Sequence, residues 1–144
     1  MTPQALAEAC ARAMWADDHA SQGLGMRIDH IAPGQATLSM EITPAMTNGH
    51  GMCHGGFIFT LADSAFAFAC NTYNQRTVAQ MAAITFLAPA RAGQRLNAAA
   101  REVSRQGRGG LYDIRVSAED GTIIAEFRGH SRTIKGTHLP EQPS

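Results

Sequence analysis

Residues 48–70 read NGHGMCHGGFIFTLADSAFAFAC, and the fold turns on how the two halves of this stretch divide. The second half, Gly55 to Cys70, is apolar on nearly every face and long enough for a helix, with Asp63 as its only charged residue. A helix that is hydrophobic all round is a buried one, and a carboxylate inside it is desolvated unless something pairs with it or uses it. The glycine-rich first half delivers the chain to the helix N-terminus. Asp63 is therefore the first candidate for chemistry.

Upstream, Thr2 to Asp18 is rich in Ala, Leu and Glu, with Thr2 as N-cap and Pro3 where a first helical turn accepts it, so a short leading helix is expected. Gly23 and Gly25 end it. Met26 to Ile31 and Gln35 to Ile42 then alternate in polarity around Pro33-Gly34, the pattern of a hairpin. Downstream, the polar run Asn71 to Gln75 stops the buried helix by about Asn74. Four strand-like segments follow at Thr77–Leu87, Gln94–Ser104, Gly110–Ala118 and Thr122–Ile134, and their short links imply an antiparallel meander. In the last, Ala125, Phe127, Gly129, Ser131 and Thr133 share one face and Glu126, Arg128, His130 and Arg132 the other, so one face packs and one is wet. The expected class is α+β, a curled antiparallel sheet wrapped around one buried helix. A single domain over residues 1–136 is expected, with a flexible tail over 137–144.

Composition removes several functions. The 144 residues carry 12 Lys and Arg against 12 Asp and Glu, without the basic excess that nucleic acid demands. Charges at Glu8, Arg12, Asp17 and Asp18 break the apolar core a signal peptide needs. The run around Asp63 is too short for a membrane span, which takes about 20 apolar residues. The 3 cysteines, Cys10, Cys53 and Cys70, are odd in number and far apart, so neither a disulfide framework nor a zinc knuckle is expected. A soluble, cytoplasmic protein binding neither nucleic acid nor membrane is the reading.

His54-Gly55-Gly56, Leu61-x-Asp63, Ala67 and Ala69, followed by Ile84-x-Phe86-Leu87-x-Pro89 and Gly93, resemble the hotdog-fold acyl-CoA thioesterases. With the closing FRGHSRTIKG, the run is similar to the phenylacetate-degradation branch of that family, the PaaI type. The resemblance implies a hotdog fold, dimers made by pairing sheets, commonly tetramers, and active sites at the dimer interface. It implies Asp63 as nucleophile or general base, a backbone N–H of Gly55 on the thioester carbonyl, and assistance from Asn48 and His54. It also implies hydrolysis of aryl-acetyl-CoA, such as phenylacetyl-CoA and its hydroxylated forms, with coenzyme A entering as part of the substrate and no metal or redox cofactor. Some members place a Ser or Thr on the strand after the helix; here that position is near Ala79, with only Thr77 close by.

Spacing adds a constraint. Gly55 and Asp63 are eight residues apart, roughly 12 Å along a helix axis. One thioester carbonyl cannot touch both groups on one helix, so the N–H and the carboxylate must come from two subunits with antiparallel helices. The helix N-terminus, with Gly55-Gly56 admitting close approach, suits an oxyanion. Phe57, Phe66 and Met52 are expected to line the acyl pocket. Arg91, Arg108 and Arg132, among other basic residues on loops and strand ends, are expected at the phosphates of coenzyme A.

Plainer readings compete. Asp63 can pair with an arginine from the sheet such as Arg115. Asn48 before Gly49 can be a turn residue and His54 a helix cap. His50, Cys53 and His54 can be read as metal ligands, or Cys53 with His54 as nucleophile and base, although adjacent residues rarely aim at one point. The row Arg128, His130 and Arg132 can be a solvated face. The rival functions are a non-catalytic acyl-CoA binding or sensing module and a hydratase on the same fold.

Overall fold

The computed structural model describes residues 1–140. Helix α1 (Pro3–Asp17) starts at Thr2, whose hydroxyl accepts from the Ala5 N–H, and the chain breaks at Asp18, which N-caps a short second helix, α2 (His19–Gly23). The expected single leading helix is thus two, because the Asp18 side chain takes up the Ser21 N–H and restarts the helix in a new direction. Strands β1 (Arg27–Ala32) and β2 (Gln35–Glu41) form the expected hairpin, with Gly34 at φ 71° in its turn. A 3-10 turn at Pro44–Met46 and the glycine-rich loop lead into α3 (Gly55–Cys70).

Strands β3 (Thr77–Phe86), β4 (Arg95–Gln106), β5 (Gly109–Ala118) and β6 (Ile123–Thr133) complete a six-stranded antiparallel sheet in the order β1-β2-β4-β5-β6-β3. The four-strand meander therefore holds only for β4, β5 and β6. β3 pairs with β6 and lies at the far edge, because β4 is already flanked by β2 and β5. The link from Leu87 to Gln94, carrying Pro89, is too long for a tight hairpin and crosses the end of the sheet instead. Buried and exposed residues alternate along β6 as the sequence implies, Phe127, Gly129 and Ser131 in and Arg128, His130 and Arg132 out.

The sheet curls around α3, which touches all six strands, and the core lies between them. Leu61, Phe66 and Phe68 from the helix meet Leu38, Met40, Ile114 and Phe127 from the sheet. Both ends of α3 are pinned. At its start, His54 N–H donates to the Met46 carbonyl and Cys53 N–H to that of Ala90. At its end, the Thr72 hydroxyl accepts from Gly34 N–H, and the Tyr73 hydroxyl donates to Glu102. α3 is thus a fixed rod whose residues keep their mutual spacing.

The polar loop after α3 also holds the chain beyond β6. The Asn74 side-chain oxygen accepts from the N–H groups of His138 and Leu139, and Arg76 N–H donates to the Gly136 carbonyl. The flexible tail expected over 137–144 begins with these bonded residues, and residues 141–144 lie outside the described ones.

One glycine sets the spacing between helix and sheet. A Cβ at Gly129 of β6 would lie 2.8–2.9 Å from three atoms of the Phe66 ring, which is itself packed against Tyr112 and Phe127. Gly129→Ala is expected to destabilise the fold by about 1–3 kcal/mol through overpacking, measured as a lowered denaturant midpoint at unchanged slope.

Candidate active site

At the start of α3, His54 is the N-cap: its Nδ1 accepts the Gly56 N–H at 3.0 Å. An accepting Nδ1 leaves the proton of the neutral ring on Nε2, so His54 points a donor outward and has no free acceptor nitrogen for use as a base. Phe57 N–H donates to the His54 carbonyl. The N–H of Gly55 takes no acceptor among the described hydrogen bonds, and it sits at the positive end of a 16-residue helix. A free donor is thus aimed out of the helix where a carbonyl oxygen can reach it.

The approach to that donor is a cavity of about 520 Å³, walled by Asn48, Met52, Gly55, Ile58, Phe86 and Pro89 among others. The Asn48 side-chain oxygen accepts from the N–H groups of His50 and Met52, so it shapes the glycine-rich loop and leaves its amide nitrogen for other partners. Met52 forms a backbone bridge to Arg91, the residue after the cavity-lining Ala90. Phe86, at the end of β3, lies so close that a Cβ on Gly55 would fall 2.9 Å from its ring. The missing side chain at Gly55 is what lets the Phe86 ring lie over the helix start.

Asp63 lies two turns further along α3 on a stripe with Gly56, Thr60 and Ala67 that the sheet leaves partly uncovered. It makes no ion pair and no side-chain hydrogen bond among the described residues. The alternative of pairing with Arg115 fails, because Arg115 bonds Glu126 at 2.6 Å on the outer face of the sheet. Burial without compensation pushes the Asp63 carboxyl above the ordinary carboxylate range. The same burial, with the Asp63 charge adding to it, lifts the Cys70 thiol to about 12, so that cysteine is inert packing.

The remaining candidates divide by location. Gly56 and Phe57 stand with His54 at the helix start, Phe57 edge-on to the imidazole. Phe66 is 1% exposed in the core and faces the sheet rather than an entrance. Arg108 lies at the β4–β5 turn beside Cys70 and Tyr73, at the opposite end of α3 from Gly55. Arg132 is exposed near the same end, in register with Gly109 of β5 and Val78 of β3. The Thr77 hydroxyl donates to the Gln75 carbonyl and belongs to the loop. Among the described residues no His, Cys, Asp or Glu converge as a metal-ligand set. Phe86 lines the same cavity although spacing did not single it out, since only the fold brings the end of β3 over the start of α3.

The described chain thus combines a wrapped helix with an unused N–H at its start and an unpartnered carboxylate two turns on. A model of the thioesterase superfamily matches residues 50–125, and the chain belongs to that family. The acyl-coenzyme A thioesterase PaaI of Escherichia coli (strain K12) is 43% identical over 128 residues, covering 88% of this chain and 91% of that protein. The structure of the E. coli PaaI protein from the phenylacetic acid degradation operon matches with TM-score 0.93 and 39% identity, over 94% of this chain and 99% of that one. A mutant of the phenylacetic acid degradation protein PaaI from Thermus thermophilus matches with TM-score 0.78 and 37% identity, over 81% of this chain and 100% of that one.

The raised carboxyl makes a stability test. A group whose pKa is higher folded than unfolded contributes stability at pH below its unfolded value and loses it as pH rises through the folded value. At neutral pH the charged Asp63 therefore weighs against folding, and the nearly isosteric Asp63→Asn is expected to raise Tm. The gain should shrink as pH falls toward the ordinary carboxylate range, in melts of the two proteins recorded side by side.

Proposed function

We infer that the protein is an acyl-CoA thioesterase that hydrolyses arylacetyl thioesters, phenylacetyl-CoA and its ring-hydroxylated forms, to the free acid and CoA. The observation that carries this reading is the half-buried Asp63 with no protein partner, on the same rigid helix as the unused N–H of Gly55. The likeness to E. coli PaaI supports the substrate class.

Since the two groups stand roughly 12 Å apart on one rod, they act on one carbonyl only when supplied by two copies of the chain. β3 offers the means. Its outer edge pairs with no strand, and it exposes Val78, Met81 and Phe86 at 45%, 54% and 51%. A long apolar edge without proline or charge is a template for another strand. Two copies joined β3 to β3, antiparallel about a two-fold axis, set their α3 helices antiparallel and carry Gly55 of one copy toward Asp63 of the other. The homodimer is the functional unit in this reading, and a homotetramer is a pair of such dimers.

In the composite site the Gly55 N–H holds the thioester oxygen and stabilises the oxyanion as it forms, a contribution of roughly 2.7–4 kcal/mol for one donor. Burial leaves Asp63 more basic than a solvated carboxylate. It either takes a proton from the water that attacks the carbonyl carbon, or attacks that carbon itself to form an anhydride that water then opens. In both routes the C–S bond breaks, the sulfur leaves as CoA thiolate and takes up a proton, and water supplies the oxygen of the acid. In this reading His54 Nε2–H and the Asn48 amide are the further donors to the thioester, and Arg91 is assigned to a phosphate of coenzyme A. No metal or redox group enters these steps. The setting is cytoplasmic: all three cysteines are unpaired, which suits a reducing compartment. No described helix is long and apolar enough to cross a membrane.

Thiol release from phenylacetyl-CoA, acetyl-CoA and a long-chain acyl-CoA tests the reading. Wild-type protein should favour the aryl thioester, and Asp63→Asn should lower kcat by about 10²–10⁴ while binding persists. Binding of every thioester without turnover would make the protein a sensing module instead.

A further inference from the structure

A second cavity, of about 400 Å³, opens at the far end of α3. Its apolar walls are Met14 of α1, Ala67 of α3, Val78 of β3 and Ile134 beyond β6, and Arg76 and His138 stand on its rim. Ala67 follows Asp63 by four residues on the stripe the sheet leaves open, about 6 Å along the axis. Val78 lies on the free edge of β3. In the paired-strand arrangement, which this inference assumes, the cavity lies on the interface just past the carboxylate, on the side away from the free N–H of the same chain.

Arg76 is tied to the C-terminal segment by its backbone and by one side-chain hydrogen bond. Its backbone N–H donates to the Gly136 carbonyl at 3.0 Å and its carbonyl accepts from Ile134 N–H at 2.7 Å. Its Nε donates to the Thr137 carbonyl at 3.2 Å. Its stem lies so close over Gly136 that a Cβ there would meet Cδ at 2.9 Å. The segment that holds it is itself fastened by His138, whose Nε2 is 2.7 Å from the side-chain oxygen of the buried Asn71. That oxygen also accepts the Thr77 N–H, and the Asn71 amide nitrogen donates to the carbonyls of Ala67 and Thr77. Among the described residues Arg76 has no ion-pair partner, the three ion pairs being Arg101–Asp113, Arg115–Glu126 and Arg128–Asp113.

We propose that this cavity receives the aromatic end of the acyl group and that Arg76, held by the C-terminal segment, donates a hydrogen bond to a hydroxyl on the ring. Asp17 lies on the cavity wall opposite in charge to Arg76. A hydroxyl can accept from the guanidinium and donate to the carboxylate, whereas an acyl group ending in a carboxylate would meet repulsion from Asp17. The apolar walls between these two groups suit the faces of an aromatic ring. Arg76 is thus a specificity residue and His138 a positioning residue that acts through it.

The test is a substrate comparison in the full-length protein. kcat/KM is measured for phenylacetyl-CoA, a ring-hydroxylated phenylacetyl-CoA and adipyl-CoA, with wild type, Arg76→Ala and Arg76→Lys. Melting curves confirm that the variants fold. The ratio of hydroxylated to unsubstituted substrate should fall about tenfold in Arg76→Ala, the loss of one hydrogen bond from a charged donor. Arg76→Lys should restore part of that ratio, and adipyl-CoA should remain a poor substrate throughout. An unchanged ratio would overturn the proposal. So would an equal fall on both aryl thioesters that disappears with the corresponding pantetheine thioesters, which would assign Arg76 to a phosphate of coenzyme A. If wild type hydrolyses none of the three, it is the thioesterase reading itself that fails.

Discussion

A half-buried carboxylate without a partner is the constraint on which the rest of this structure depends. Asp63 is half-buried on a helix whose other fifteen residues are uncharged, and nothing among the described residues of its own chain compensates the lost hydration. Such a group weighs against folding, so the sheet must leave one stripe of α3 uncovered and supply enough burial elsewhere to hold the helix in place. The core around Phe66, Phe68, Tyr112 and Phe127 does that. The paired hydrogen bonds at each end of α3 then fix where along the molecule the carboxylate stands.

Rigidity has a further consequence. Because α3 is anchored at both ends, its free N–H and its carboxylate cannot approach one another by bending. Chemistry that uses both needs two helices, and the molecule presents a strand edge suited to bringing a second one. In the proposed dimer, exposed Val78, Met81 and Phe86 on β3 and the unpaired carboxylate of Asp63 have one explanation. Pairing of β3 edges would bury the first and bring a helix N-terminus, with its positive end, toward the second.

Much of this was legible in the sequence because it rests on local rules. The alternation along β6, the Pro33-Gly34 turn and the all-apolar run around Asp63 each specify an element without reference to the rest of the chain. What the sequence did not show depends on long-range placement. β3 reads as a neighbour of β4, yet β4 is occupied on both sides, so β3 pairs with β6 and becomes the free edge. Phe66 and Ala67 follow Asp63 by three and four residues, and both lie near its side of the helix. On a helix apolar all round, no periodicity tells which of them meets the sheet, and the fold puts the ring in the core and Ala67 on the open stripe. The β4–β5 turn and the end of β6 set Arg108 and Arg132 by the far end of α3, a placement that no local pattern announces. Arg76 and His138 gave no signal, since the segment after β6 has no period and is placed by the side chains of Asn71 and Asn74.

Subunit complementation tests the shared site most directly. Gly55→Pro removes the donor N–H at the first helical position, where proline is accepted, and the His54 backbone is already extended as the residue before proline requires. The Phe86 ring must shift to admit the added atoms, so melting curves and dimer formation are checked for Gly55→Pro first. Asp63→Asn removes the carboxylate. Each variant alone should retain at most about 1% of the wild-type rate. When the two are refolded together, each mixed dimer keeps one intact site, and thiol release should recover to about a quarter of the wild-type rate. No recovery from a mixture shown to contain mixed dimers would contradict a site built from two chains.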